Sequence, residues 1–263
     1  MMEDMITKRE IDIKDDTRQA LIVGRYEIIK FFNGKKIYIF GIIYALVLAL
    51  LSVVLFFFTD GDPTTEEILP TFISFVTLLL LIGATLFSSV TLVSEFEERT
   101  SLLLFTRPIR KGSIFMGKFV AAYLLNMAFV IVYYLLSSVI VGIKTGGFMG
   151  SIFTSLVFCA AYVFALTGIA ILFSALMKKS SSASILTFVF ILLVPSIITM
   201  VVMLATGSQD LSGYWYILDV AEASITNSLI GTAENGVRDF FVMILWGLVP
   251  AVGAYFLFRD REV

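Results

Sequence analysis

Six long apolar runs constrain this chain more than anything else in it. They span Ile37–Phe58, Ile68–Val93, Ile114–Val141, Phe148–Met177, Ala183–Thr206 and Phe240–Phe258. Each is near or above the ~20 residues that cross a bilayer as helix. In hydrocarbon every backbone N–H and C=O must be bonded internally, so a span is a helix or part of a closed barrel. The short alternating segments of a barrel are missing. With 59% hydrophobic and 15% charged residues in 263, the chain reads as an all-α membrane protein of six transmembrane helices. Residues 1–36 form a charged cytoplasmic segment and 37–263 the membrane domain. The first apolar run is too long for a signal-peptide core and reads as a retained span.

Basic residues set the orientation. With six spans both ends lie on one side, which collects 17 of the 19 Lys and Arg; only Lys144 and Arg238 fall on the other. Both termini are therefore expected in the cytoplasm of a multi-pass plasma-membrane protein. Ahead of the first span, Ile22, Tyr26 and Ile29 recur at helical spacing over Asp16–Asn33, with Asp15 or Asp16 as N-cap. This predicts an amphipathic helix on the inner leaflet, with Arg25 and Lys30 toward anionic headgroups. The competing reading is an ordinary helix packed on the protein. Residues 1–14, charged throughout, are expected to be disordered. The outer segment Gly207–Asp239, with its stretch YWYILDVAEASITNSLI, is apolar enough to fold on the outer surface.

Three chemistries fall away early. The chain has no His and one Cys, which removes His-dependent nucleophile pairs, His-ligated zinc and His proton relays. Cys159, inside an apolar run, reads as a small buried side chain. The stretch Gly112–Lys118 spells G-x-x-x-x-G-K, the opening of a nucleotide-binding P-loop. A working P-loop also needs a preceding strand and a Ser or Thr after the Lys for Mg²⁺. Phe119 occupies that place, Pro108 spoils the strand, and a membrane span follows at once. Lys118 is expected instead to snorkel to the headgroups at the foot of the third span. It is the one charge between the ends of the six spans, so no buried carboxylate offers proton coupling.

Energy must then arrive through a cytoplasmic contact. The one substantial inner loop between spans is Ser94–Ser113, which contains SEFEERTSLLLFTRPIRKGS. Glu95, Glu97 and Glu98 suit a helix start. An apolar patch follows, then Arg107, Pro108, Arg110 and Lys111, which has the form of a docking surface. The alternative is that the patch packs beneath the first helix or prolongs the second span.

The chain resembles the permease subunits of ABC-2 type ABC transporters. The resemblance rests on Glu97–Glu98, Thr100, Leu102–Leu104, Pro108, Arg110–Lys111 and Gly117–Lys118 at that family's spacings, with Arg99 where the family usually has Gly. It implies a non-catalytic membrane subunit without cofactor of its own, paired with an identical or homologous permease in membrane lipid, with no nucleic acid among its partners. Two separate ATPase subunits would bind ATP and Mg²⁺. The loop would form a coupling helix, with Leu103, Leu104 and Phe105 seated in the ATPase and Glu95, Glu97, Glu98, Arg99, Thr100, Arg107 and Pro108 framing it. The function implied is ATP-driven transport, most simply export; the alternative is an anchor or mechanotransmission subunit. An intramembrane enzyme is disfavoured by the missing His and paired carboxylates. Candidate pathway-lining groups are Ser88, Ser89, Asn126 and Ser137, beside Thr91, Ser138, Thr154, Ser155 and Thr167. For each, a hydrogen bond between helices is the simpler reading.

Overall fold

The computed structural model describes residues 2–58, 61, 63–97, 110–207, 212–233 and 235–260. It is 87% helical, with no strand among the described residues. Helix α1 (Met2–Asn33) ends at Gly34, whose extended backbone (φ −81°, ψ 142°) turns the chain into α2 (Lys35–Val53) and a π-helical turn, Val54–Phe58. Helix α3 (Thr65–Leu86) starts on a capping box of Thr64 and Glu67 and continues through a 3₁₀ turn, Ser88–Val90, into α4 (Val93–Glu97). Then come α5 (Lys111–Thr145), α6 (Ile152–Leu176) and α7 (Ser180–Thr206). Two short outer helices, α8 (Leu218–Glu222) and α9 (Ser224–Asn227), precede α10 (Gly236–Asp260).

Six helical stretches are long and apolar enough to cross a membrane: Lys35–Phe58, Thr65–Glu97, Lys111–Thr145, Ile152–Leu176, Ser180–Thr206 and Gly236–Asp260. They coincide with the six apolar runs and extend most of them by a turn or so. Helices α3 and α6 form the centre. Helices α2, α7 and α10 lie outside them and present rows of exposed apolar side chains, among them Ile42, Leu46 and Leu50 on α2 and Leu193, Ile197 and Leu204 on α7. Such faces suit lipid or another membrane helix rather than water.

Small residues set the tightest crossing. A Cβ on Gly168 of α6 would run into the carbonyl of Gly247 on α10, and a Cβ on Gly247 would strike Phe164. Ala161, Ala165 and Ala251 are buried around the same seam. These small residues pack within the chain, letting the two backbones approach closely. Pro195 and Pro250 lie inside α7 and α10, which continue through them.

Two expectations are corrected. Helix α1 begins at Met2 and not near Asp16. Residues 2–15 contain neither Gly nor Pro and carry acidic residues at the start, which favours a helix N-terminus. Asp16 is no cap; it accepts a hydrogen bond from Arg110 at 2.6 Å. The second correction concerns the outer segment, which does not stay on the surface. The Tyr216 carbonyl accepts a hydrogen bond from the Trp246 indole at 2.9 Å, and Trp246 lies about 15 Å along α10 from its outer end. Ile217, Leu218, Ala221 and Ile225 are buried. Ser155 donates to the Ile225 carbonyl (2.6 Å) and Ser151 to that of Leu229 (2.9 Å). Flanking helices thus bond the backbone of this hairpin, the condition for irregular structure at membrane depth.

The α6–α10 seam makes a prediction. Gly168→Val should lower the melting temperature of the purified protein by several degrees, since overpacking a tight crossing costs roughly 1–3 kcal/mol. A melting curve in detergent that overlays the native one would mean that the two backbones are not in contact there.

Candidate functional site: a buried ion triad beneath a broken span

The second span is not one helix. After Leu86 the chain tightens to 3₁₀ geometry at Ser88–Val90, turns through Thr91 and Leu92, and restarts as α4. A break of this kind exposes amides that need partners. The Ser174 hydroxyl oxygen on α6 accepts from the backbone N–H of both Leu92 and Val93, at 3.0 Å each. Asn126 of α5 donates to the Ser88 hydroxyl at 3.1 Å and to its own helix at Ala122 at 3.0 Å. Ser89 bonds Ser184 of α7 at 2.9 Å, and Thr91 donates to the Phe87 carbonyl at 2.8 Å. Three neighbouring helices therefore hold the break open.

One turn below it lies Lys118, at 2% exposure. Its ammonium donates to Glu27 of α1 at 2.7 Å, to Glu95 of α4 at 2.9 Å and to the Thr91 carbonyl at 3.1 Å. An ammonium has three protons, and all three are used. Lys30 of α1 adds a second cation, 3.7 Å from Glu95. Charge is balanced where it is most expensive to bury. Such a cluster adds little net stability over an apolar one, but losing one partner strands a charge and costs about 3–5 kcal/mol. The snorkelling expected of Lys118 does not occur, because carboxylates from two other elements reach it inside the protein.

The glycine before it explains how. A Cβ on Gly117 would run into the Ala20 carbonyl of α1 and stand 3.1 Å from the Gly24 nitrogen; one on Gly24 would meet the Gly117 carbonyl at 3.0 Å. Helices α1 and α5 thus cross backbone to backbone, and only this approach brings Glu27 to Lys118. The G-x-x-x-x-G-K stretch lies within the first turns of α5. Its Gly serves a crossing and its Lys an ion cluster.

The other site residues fall as follows. Glu95 points at Lys118. Glu97 accepts hydrogen bonds from the Ser180 backbone N–H (2.8 Å) and hydroxyl, capping the N-terminus of α7. Glu98, Arg99, Thr100, Leu103, Leu104, Phe105, Arg107 and Pro108 lie outside the described residues. Arg25 is exposed on α1, and Lys30 donates to Ser94 at 3.3 Å. On α1, Ile22, Tyr26 and Ile29 are exposed, while Gly24, Glu27 and Phe31 are buried. Ser88, Ser89, Asn126 and Ser137 are all buried within the chain; the structure brings the first three together at the break and leaves Ser137 higher on α5. Glu27, Ser174, Ser184 and Gly24 are participants that the sequence reading missed. The run Ser88-Ser89-Val90-Thr91 was a visible signal, being the densest hydroxyl stretch in the second span.

Fold and site together define a polytopic helical membrane protein whose N-terminal helix α1 is tied to the ends of its spans. The profile of the ABC-2 type transporter family matches residues 18–219. The chain belongs to that family and is a multi-pass permease component of an ABC transporter, not a catalytic subunit. No curated protein matches the sequence.

The triad predicts an asymmetry. Lys118→Met should cut the yield of folded protein and lower its melting temperature, in keeping with a loss of about 3–5 kcal/mol. The combined variant Lys118→Met, Glu27→Gln, Glu95→Gln should recover much of that loss, since no charge is left unpaired. Equal damage in the single and combined variants would show that Lys118 acts through its bulk and not its charge.

Proposed function

We propose that this chain is the membrane-spanning subunit of an ATP-driven exporter, paired with a second permease and served by two cytoplasmic ATPase subunits that bind ATP and Mg²⁺. Both termini face the cytoplasm, as the basic residues favour. The loop over residues 98–109 is the docking element. Leu103, Leu104 and Phe105 seat in the ATPase, and Glu98, Arg99 and Arg107 fix the register, with Thr100 and Pro108 in the same docking element.

The observation that carries this reading is the convergence on Lys118. The loop leaves α4 at one end and joins α5 at the other. Glu95 of α4 and Lys118 of α5 are bonded 2.9 Å apart, so the loop closes on an ionic clasp. Glu27 ties the same clasp to α1, and Glu97 ties α4 to α7. A thrust on the loop is therefore shared by α1, α4, α5 and α7 at once. The break at residues 87–92 is where this inner assembly bends against the outer half of the second span. The exposed apolar faces of α2 and α7 are available to lipid and to the second permease. Interior groups that are hydroxyls and amides suit an amphipathic, lipid-like or peptide substrate better than a small ion.

The test is retention of the complex. Leu103→Asp and Phe105→Asp should abolish co-purification of the ATPase and uncouple ATP hydrolysis from the membrane, because one buried apolar anchor is worth ~2 kcal/mol or more. An ATPase that still co-purifies and hydrolyses ATP unchanged would overturn the docking assignment.

A further inference from the structure

Helix α10 is gripped at both ends. At its inner end Phe258, at 2% exposure, stands edge-on to Phe96 of α4, ring centroids 6.1 Å apart, and packs against Phe115 of α5 at 6.2 Å. Phe115 also meets Tyr255, one turn back along α10, at 5.6 Å. Lys111 of α5 donates to the Arg259 carbonyl at 2.8 Å. The loop over residues 98–109 begins just after Phe96 and ends just before Lys111. One helix end therefore holds both roots of that loop. These contacts belong to an apolar cluster of their own, apart from the main core, in which Leu92, Ile114 and Ala254 join Phe258.

At the outer end α10 holds the hairpin. Asp239, buried in its first turn, accepts from Ser224 of α9 at 2.5 Å, and the Trp246 indole donates to the Tyr216 carbonyl at 2.9 Å. Tyr216 and Ser224 lie on either side of α8, so the two bonds bracket it. Between the grips α10 runs unbroken through Pro250. From Asp239 to Phe258 it rises about 28 Å, close to the full ~30 Å of a hydrocarbon core. Its backbone is pressed on that of α6 at Gly247 and Gly168. A shift of α10 thus carries α6, which bonds the same hairpin through Ser151 and Ser155.

We propose that α10 is a connecting rod: Phe258 positions both roots of the inner loop, and displacement of those roots is carried along α10 to the outer hairpin. Phe258 acts through Phe96 and Phe115 and is a positioning residue. The two ends then form one coupled system, and coupling is reciprocal: loosening either end loosens the other. Contiguous packing alone does not establish such a route, whereas a reciprocal response does. The inference rests on the docking reading only for the origin of the thrust. The link between the two ends is a property of this chain by itself.

The test uses the full chain in lipid nanodiscs without the ATPase, so its failure is separate from that of the docking assignment. Amide hydrogen exchange is followed at the hairpin, residues 212–229, and at the loop roots, residues 93–97 and 111–115. Phe258→Leu, which removes the ring and keeps an apolar side chain, should raise exchange in the hairpin about fivefold or more. Phe31→Leu makes the same change at the inner end, against Phe87 and off α10, and should leave the hairpin as it is. In the reverse direction Trp246→Phe, which deletes the donor to Tyr216, should raise exchange at the loop roots. A merely less stable protein would loosen everywhere, so α2, which should not respond, is the internal reference. Trp246 is only half-buried, and its variant decides the matter alone if Phe258→Leu does not fold. Hairpin protection in Phe258→Leu that overlays the native, an equal loss in Phe31→Leu, or a Trp246→Phe effect confined to the hairpin would overturn the rod.

Discussion

The contact between Lys118, Glu27 and Glu95 is the interaction on which the inner half of this protein depends. It joins three elements far apart in sequence: a helix ahead of the first span, the end of the second span and the start of the third. It forms only because Gly24 and Gly117 let α1 and α5 touch by their backbones. Once formed it is all or nothing. A lysine at 2% exposure tolerates neither missing carboxylate nor shifted backbone. Such a cluster is a poor source of stability but a good means of keeping elements in fixed relation.

Above that fixed foot the second span is deliberately discontinuous. The Ser174 hydroxyl substitutes for two lost helical bonds, and Asn126 and Ser184 hold the turn from either side. The polar groups of the interior are thus spent on one place in the fold. The outer end is organised by the opposite device, a hairpin pulled inward by the hydroxyls and indole of the surrounding helices. The ion triad thus lies at one end of the bundle, and hydroxyl and indole hydrogen bonds hold the hairpin at the other.

Much of this was legible in the residues alone. Hydropathy determines the six spans because the bilayer admits little else, and the structure matches them to within a few residues to a turn or two at most ends. The serines and the asparagine at the break were visible as polar groups in apolar runs, but their meaning was not. Whether Ser88 lines a path or bonds Asn126 depends on how α3 and α5 are rotated, and hydropathy is silent on rotation. Lys118 was misread for a related reason. Its position near the foot of a span allows snorkelling, and nothing local shows that Glu27, some ninety residues earlier, reaches it. Residues that act through long-range contacts were the ones sequence reasoning missed.

The central claim is that α1, α4, the foot of α5 and the start of α7 move as one body against the outer half of the second span. Spin-label distances in the assembled complex test it most directly, with cysteines placed on exposed positions of a Cys159→Ala background. Between the nucleotide-free and the ATP-trapped states, the separation of labels at Thr17 and Lys179 should stay constant, while that of Thr17 and Phe75 should change by several ångströms. A shift in the first pair with the second unchanged would contradict the account.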